Sequence, residues 1–171
     1  MGEAKYGSEF ITHEFDEAIA IQQAIVDGAE TLSTAHSRPA SKQLIKTVLR
    51  EDTKFLKELR RLGRKHDANG KLEGVALALK ELMDETAQSA AEAPSESYEA
   101  HAVLINLKRK QQDSAAAMLK IAREQKDTDL RTAATEFGKA TKASAQELAN
   151  DLATFAVEIA TMRKTRVGAR A

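Results

Sequence analysis

SRPASKQLIKTVLREDTKFLKELRRLGRKHDANG, residues 37–70, decides the fold. Proline fixes φ and lacks an N–H, so Pro39 suits the first turn of a helix and not its interior. Beyond it Ile45, Val48, Leu49, Phe55, Leu56, Leu59 and Leu62 recur on one face, the periodicity of about 100° per residue of an amphipathic helix. The pattern predicts a helix from about Ala40 to His66, stopped by Asn69-Gly70.

The same periodicity extends outward on both sides. Upstream, Phe15, Ala18, Ile19, Ile25, Val26, Ala29 and Leu32 predict a helix from Thr12 to Ala35, leaving only Ser37-Arg38-Pro39 as a link. Downstream lies a long connection, residues 71–99. Within it Leu72, Val75, Leu77, Leu79, Leu82 and Met83 predict a shorter helix, and Ala93-Pro94-Ser95-Glu96-Ser97 reads as a loop. A helix from Tyr98 to Glu124 follows, with Val103, Leu104, Leu107, Met118, Ile121 and Ala122 inward. Asp127 or Thr128 caps a last helix reaching about Met162, with Leu130, Ala134, Phe137, Leu148, Leu152, Phe155 and Ile159 on its core face.

The expected fold is all-α: a four-helix bundle of two antiparallel hairpins, with a short extra helix in the crossover. Tight links make each hairpin, and a crossover of this length permits other than simple up-down-up-down order. A five-helix array is the alternative. The 171 residues are 42% hydrophobic with eight glycines and two prolines, enough for one core. Gly7-Ser8-Glu9-Phe10 reads like translated cloning sites, so residues 1–10 are expected to lie outside the fold. Residues 11–165 form the domain, Arg163-Lys164-Thr165-Arg166 begins a basic fraying end, and 166–171 is a flexible tail.

Several function classes fall away. With no cysteine, thiol catalysis, disulfides and cysteine-ligated metals are excluded. No signal peptide or membrane-length apolar run is visible, so the expected location is cytoplasmic, unless the leading residues replace a removed signal. Neither a nucleophile elbow nor a phosphate-binding glycine loop occurs; Asp67-Ala68-Asn69-Gly70-Lys71 is a turn. His13, His36, His66 and His101 read as isolated. His13-x-x-x-Glu17 has helical two-ligand spacing but no matching motif elsewhere, and His36 and His66 sit near helix C-termini, where positive charge is favourable.

The expected core faces carry polar residues at Gln22, Asp52, Gln111, Thr141 and Ser144, with Ser114 a turn beyond Gln111. Gln22 and Asp52 are 30 residues apart, as are Gln111 and Thr141, so each hairpin sets one polar residue opposite another. On helix order, crossover and these positions, residues 12–162 resemble the ferritin-like superfamily, and loosely the YciF-like bacterial stress proteins within it. The resemblance implies a bundle that held two metal ions, with Glu-x-x-His motifs where Asp52-x-x-Phe55 and Thr141-x-x-Ser144 stand. Only Asp52 is a carboxylate. One carboxylate with two amides and two hydroxyls is too weak a set to offset dehydration of a divalent ion. The expectation is therefore a degenerate site, no metal and no cofactor. The layer serves as buried hydrogen-bonded structure, or binds a residual metal or small ligand around Asp52.

Residues 42–65 hold nine basic and three acidic residues in a chain of zero net charge. Lys42, Lys46, Arg50, Lys54, Lys57, Arg61, Arg64 and Lys65 form a stripe that suits nucleic-acid phosphates, an anionic membrane or an acidic partner. No aromatic residues interleave with it for base stacking. Residues 71–99, with seven acidic and two basic residues, offer a competing fate: an acidic crossover lying against the stripe and neutralising it; a simply solvated face is the other competing reading. The functional expectation is a non-catalytic structural, interaction or stress-associated module. Protein partners or self-association through faces such as Ala115-Ala116-Ala117 are expected, with nucleic-acid binding as the alternative.

Overall fold

A computed structural model describes residues 5–162. Five α-helices account for nearly all of them: α1 (Gly7–Ala35), α2 (Pro39–Gly63), α3 (Gly74–Ser89), α4 (Pro94–Glu124) and α5 (Thr128–Thr161). The chain is all-helical, with no strand among the described residues. None of these helices is long and apolar enough to cross a membrane.

The boundaries depart from expectation where local chemistry decides them. α1 starts at Gly7 rather than Thr12, so residues 7–10, expected to lie outside the fold, are helical. Pro94 is in the first turn of α4, and the expected 93–97 loop is its first turn. α2 ends at Gly63 and tightens into a 3-10 turn over Arg64–His66. Asp127 caps α5, its carboxylate accepting the Leu130 N–H at 2.9 Å. The expected basic end and tail lie outside the described residues.

The turn after α2 is fastened to α1 by one carboxylate. Asp16 Oδ1 accepts the backbone N–H groups of Asn69 and Gly70 at 2.8 Å each and of Lys71 at 3.2 Å. Gly70 has φ +83°, and a Cβ there would stand 2.6 Å from Ile19 Cγ2. Conformation and packing both require glycine at this position.

Three contacts set the helix directions. The end of α1 meets the start of α4, where the Ser37 N–H donates to Ser97 Oγ at 2.8 Å. The start of α2 meets the end of α5 through Arg38 and Glu158, and its end meets the start of α5 through Arg61 and Asp129. Hence α1 runs antiparallel to both α2 and α4, and α2 antiparallel to α5. α3 carries the chain back along the molecule and packs on α1 and α4, not on α2.

α3 contributes Ala76, Met83 and Ala87 to the core, while Leu72, Val75, Leu77 and Leu82 stay partly exposed. Met83 fits because Gly28 of α1 has no side chain: a Cβ there would lie 2.5 Å from Met83 Cγ. Gly28→Ala is therefore expected to cost about 1–3 kcal/mol through overpacking. In a denaturant series the Gly28→Ala/Met83→Ala pair should cost less than the sum of the singles, since the second change removes the clash.

The core is two apolar blocks with a polar layer between them. One block holds Ile21, Ile25, Leu32, Ile45, Val48, Leu104, Leu107 and Leu148. The other holds Phe15, Ile19, Leu56, Leu59, Leu62, Met118, Leu130 and Phe137. On every long helix the residues between the blocks are polar and buried: Gln22, Asp52, Lys108, Gln111, Ser114, Thr141 and Ser144.

Candidate functional site

The layer is organised by a residue outside the expected set. Lys108 of α4 is 1% exposed, and its ammonium donates to Asp52 Oδ1 at 2.7 Å and Oδ2 at 2.8 Å. A buried carboxylate without a counter-charge is costly, so Asp52 on a core face requires such a partner. Gln22 Nε2 donates to Asp52 Oδ1 at 3.2 Å and to the Asp52 carbonyl at 3.1 Å. Gln111 Nε2 in turn donates to Gln22 Oε1 at 3.0 Å and to the Ala18 carbonyl at 2.8 Å. The network thus runs Lys108–Asp52–Gln22–Gln111 across α1, α2 and α4.

The expected Gln22–Asp52 pairing is present; the expected Gln111–Thr141 pairing is not. Gln111 turns to α1, and its Oε1 lacks a hydrogen-bond partner, as do Ser114 Oγ and Thr141 Oγ1. Ser144 Oγ donates to the Thr141 carbonyl at 3.2 Å, a bond within its own helix. Phe55, at the position a ligating histidine would take, packs on Phe137 at 5.1 Å between ring centroids.

This donor set does not fit a di-metal centre. Both oxygens of its one carboxylate are bound by Lys108, and the ammonium already supplies the compensating positive charge. Among the described residues no group of three or more His, Asp or Glu is placed to hold a metal ion. His13 is not joined to Glu17: Glu17 pairs with Lys110 at 2.5 Å, and His13 lies 3.1 Å from Lys5 Nζ.

A second polar cluster closes the end of the bundle where α1 meets α4. Contrary to the expectation that the histidines stand alone, His36 and His101 are both fully buried and in contact, with His36 Nε2 3.3 Å from His101 Nδ1. His36 Nδ1 accepts the Arg38 N–H at 3.0 Å, and Phe155 packs against the His36 ring. Since His36 Nδ1 accepts, its Nε2 carries the proton shared toward His101. Arg38 reaches Asp151 at 2.5 Å and Glu158 at 2.9 Å, and Ser41 donates to Asp151 at 2.5 Å. Burial pushes His36 down to about 4, helped by the neighbouring His101; burial likewise pushes His101 down to about 4, against the pull of Asp151. Both imidazoles are neutral at pH 7. His66 stacks on Phe15, with ring centroids 4.9 Å apart.

The basic stripe is on the outer face of α2. Arg61 is paired with Glu58 and Asp129, and Lys65 with Asp129. Arg60 is held by Gln23 Oε1. Lys46, Arg50, Lys54, Lys57 and Arg64 are exposed and have no ion-pair partner among the described residues; Lys42 is half-buried and also unpaired among them. The acidic crossover does not cover them, because α3 packs on α1 and α4. Its Glu73 and Asp84 pair instead with Lys5, Lys71 and Lys80. Neutralisation of the stripe by the crossover is therefore corrected: the counter-charges come from Glu58 and from Asp129 of α5. A groove of about 570 Å³ between α2 and α5 is lined by Arg50, Lys54, Glu51, Glu58, Asp129 and Glu136, so it has mixed sign.

No protein-family model matches the chain, and no curated protein matches it significantly.

Proposed function

We propose that this chain is a ferritin-like bundle of non-catalytic type, in which an internal ammonium stands where that class holds metal, and that it acts as a structural or interaction module. The observation that carries the reading is the Lys108 ammonium bridging both Asp52 oxygens inside the layer. The helix directions support the same reading, because a long connection returning the chain between two antiparallel hairpins is the arrangement of that class. A layer of this kind fixes the register of α1, α2 and α4, a role attested for buried polar groups elsewhere. The His36–His101 cluster has no access for a substrate, since both rings are fully buried.

Elemental analysis tests the reading. Protein purified without chelator from manganese- and iron-supplemented culture is expected to carry well under one equivalent of either metal per chain. Two tightly held ions per chain would overturn it.

A further inference from the structure

We propose that the outward face of α2 binds the phosphate backbone of double-stranded nucleic acid. This goes beyond the bundle reading by naming a partner, and it does not depend on what the polar layer once held. Four observations carry it.

The first is the number and placement of unpaired cations. Lys46, Arg50, Lys54, Lys57 and Arg64 are exposed and unpaired among the described residues, with Lys42 extending the line. From Lys42 to Arg64 a straight helix spans roughly 33 Å, close to the 34–36 Å or so of one duplex turn. A rigid helix holds such charges in a fixed line, which suits the regular phosphates of a duplex.

The second is the field. Residues 42–65 carry +6, from nine basic and three acidic residues, so the remainder of this neutral chain carries −6. Positive charge is concentrated on α2, so a polyanion meets attraction along that helix. Of the three acids on that segment, Asp52 is buried against Lys108 and does not reach the face.

The third is the location of the acidic crossover. α3 packs on α1 and α4, so the most acidic connection leaves the stripe open to a partner.

The fourth separates a duplex from other polyanions. The exposed large apolar residues, Tyr6, Phe10, Leu72, Val75, Leu77, Leu82, Val157 and Met162, all lie off α2. A helix without an outward apolar face has nothing to insert into a bilayer. The one aromatic residue of α2, Phe55, is half-buried against Phe137, so the helix offers no row of exposed rings of the kind single strands stack on. Backbone contact without base readout remains.

Anisotropy of a labelled duplex of about two helical turns, followed through a salt series, tests this. Binding is expected at low salt and should weaken linearly in log–log form as salt rises. Arg50→Glu/Lys54→Glu/Lys57→Glu should weaken it at least about tenfold at low salt and lower the slope by about 0.9 for each phosphate contact removed. Lys139→Glu/Lys142→Glu, on the exposed surface of α5, should leave both unchanged. Absence of salt-dependent binding, equal binding by the α2 variant, tighter binding to the single strand, or preference for phosphatidylserine vesicles would each overturn the proposal.

Discussion

Lys108→Met is expected to lower the unfolding free energy by about 3–5 kcal/mol, the cost of leaving a buried carboxylate without its partner. Methionine nearly preserves the volume and the flexible stem of lysine, so the change tests charge more than packing. Asp52 would then retain only the Gln22 amide at 3.2 Å on its side chain. In urea, the midpoint should fall with little change in slope, since the surface exposed on unfolding is nearly the same. Asp52→Asn alone should also destabilise, because it strands the ammonium. In the double variant Asp52→Asn/Lys108→Met no charge is left in the layer, and the carbonyl oxygen of the introduced amide still accepts from Gln22. That variant should recover much of the loss, giving a coupling energy of opposite sign to the single effects. A Lys108→Met protein as stable as the parent would remove the ion pair from the account.

Acid is expected to open the end of the bundle where α1 meets α4. Both buried histidines have folded values near 4, against an ordinary value of 6.5. The unfolded chain therefore takes up protons first as pH falls. Their contribution is fully present above pH 6.5 and is lost as pH falls from 6.5 through about 4, together amounting to a few kcal/mol. Burial is the main reason protonation is unfavourable, and the groups facing the pair do not offset it. Arg38 and Lys42 repel an imidazolium on His36, and the opposing Asp151 is already engaged by Arg38 and Ser41. Following imidazole carbon shifts by NMR should show two histidines that do not titrate above about pH 5. His101→Leu should remove close to one proton from the pH dependence of stability between pH 6.5 and 4. Two buried rings titrating near 6.5 would contradict the assignment.

The helices were legible because apolar residues recur at the helical period, and Pro39, Asn69-Gly70 and Asp127 punctuate them. The polar layer was legible at Gln22, Asp52, Gln111, Thr141 and Ser144 for the same reason: each interrupts an apolar stripe. Lys108 was hidden by its neighbours. In Leu107-Lys108-Arg109-Lys110 three cations in a row resemble a solvated face, and only the register Leu104–Lys108–Gln111–Ala115–Met118 places the first inside. A stronger signal was Asp52 itself, since a carboxylate on a core face implies a cation facing it. The histidine pair was unreadable from spacing, because His36 and His101 meet only through antiparallel packing of α1 on α4. Given that topology, the end of one helix and the start of the other must coincide. The charge of the crossover was plain in composition, but the side on which α3 docks was not. That side depends on the fit of Met83 over Gly28. Ala115, read as part of a self-association face, is buried in the core, whereas Ala116 is exposed.

The Lys108 ammonium offers the most direct test of the central claim, that an internal ion pair has taken the place of a metal site. Its proton–nitrogen correlation can be followed by NMR at neutral pH while zinc is added. The account predicts a single protected ammonium signal whose position and intensity do not change through two equivalents of zinc. Loss or displacement of that signal in step with binding of one or two ions would show that metal competes for Asp52, and would contradict it.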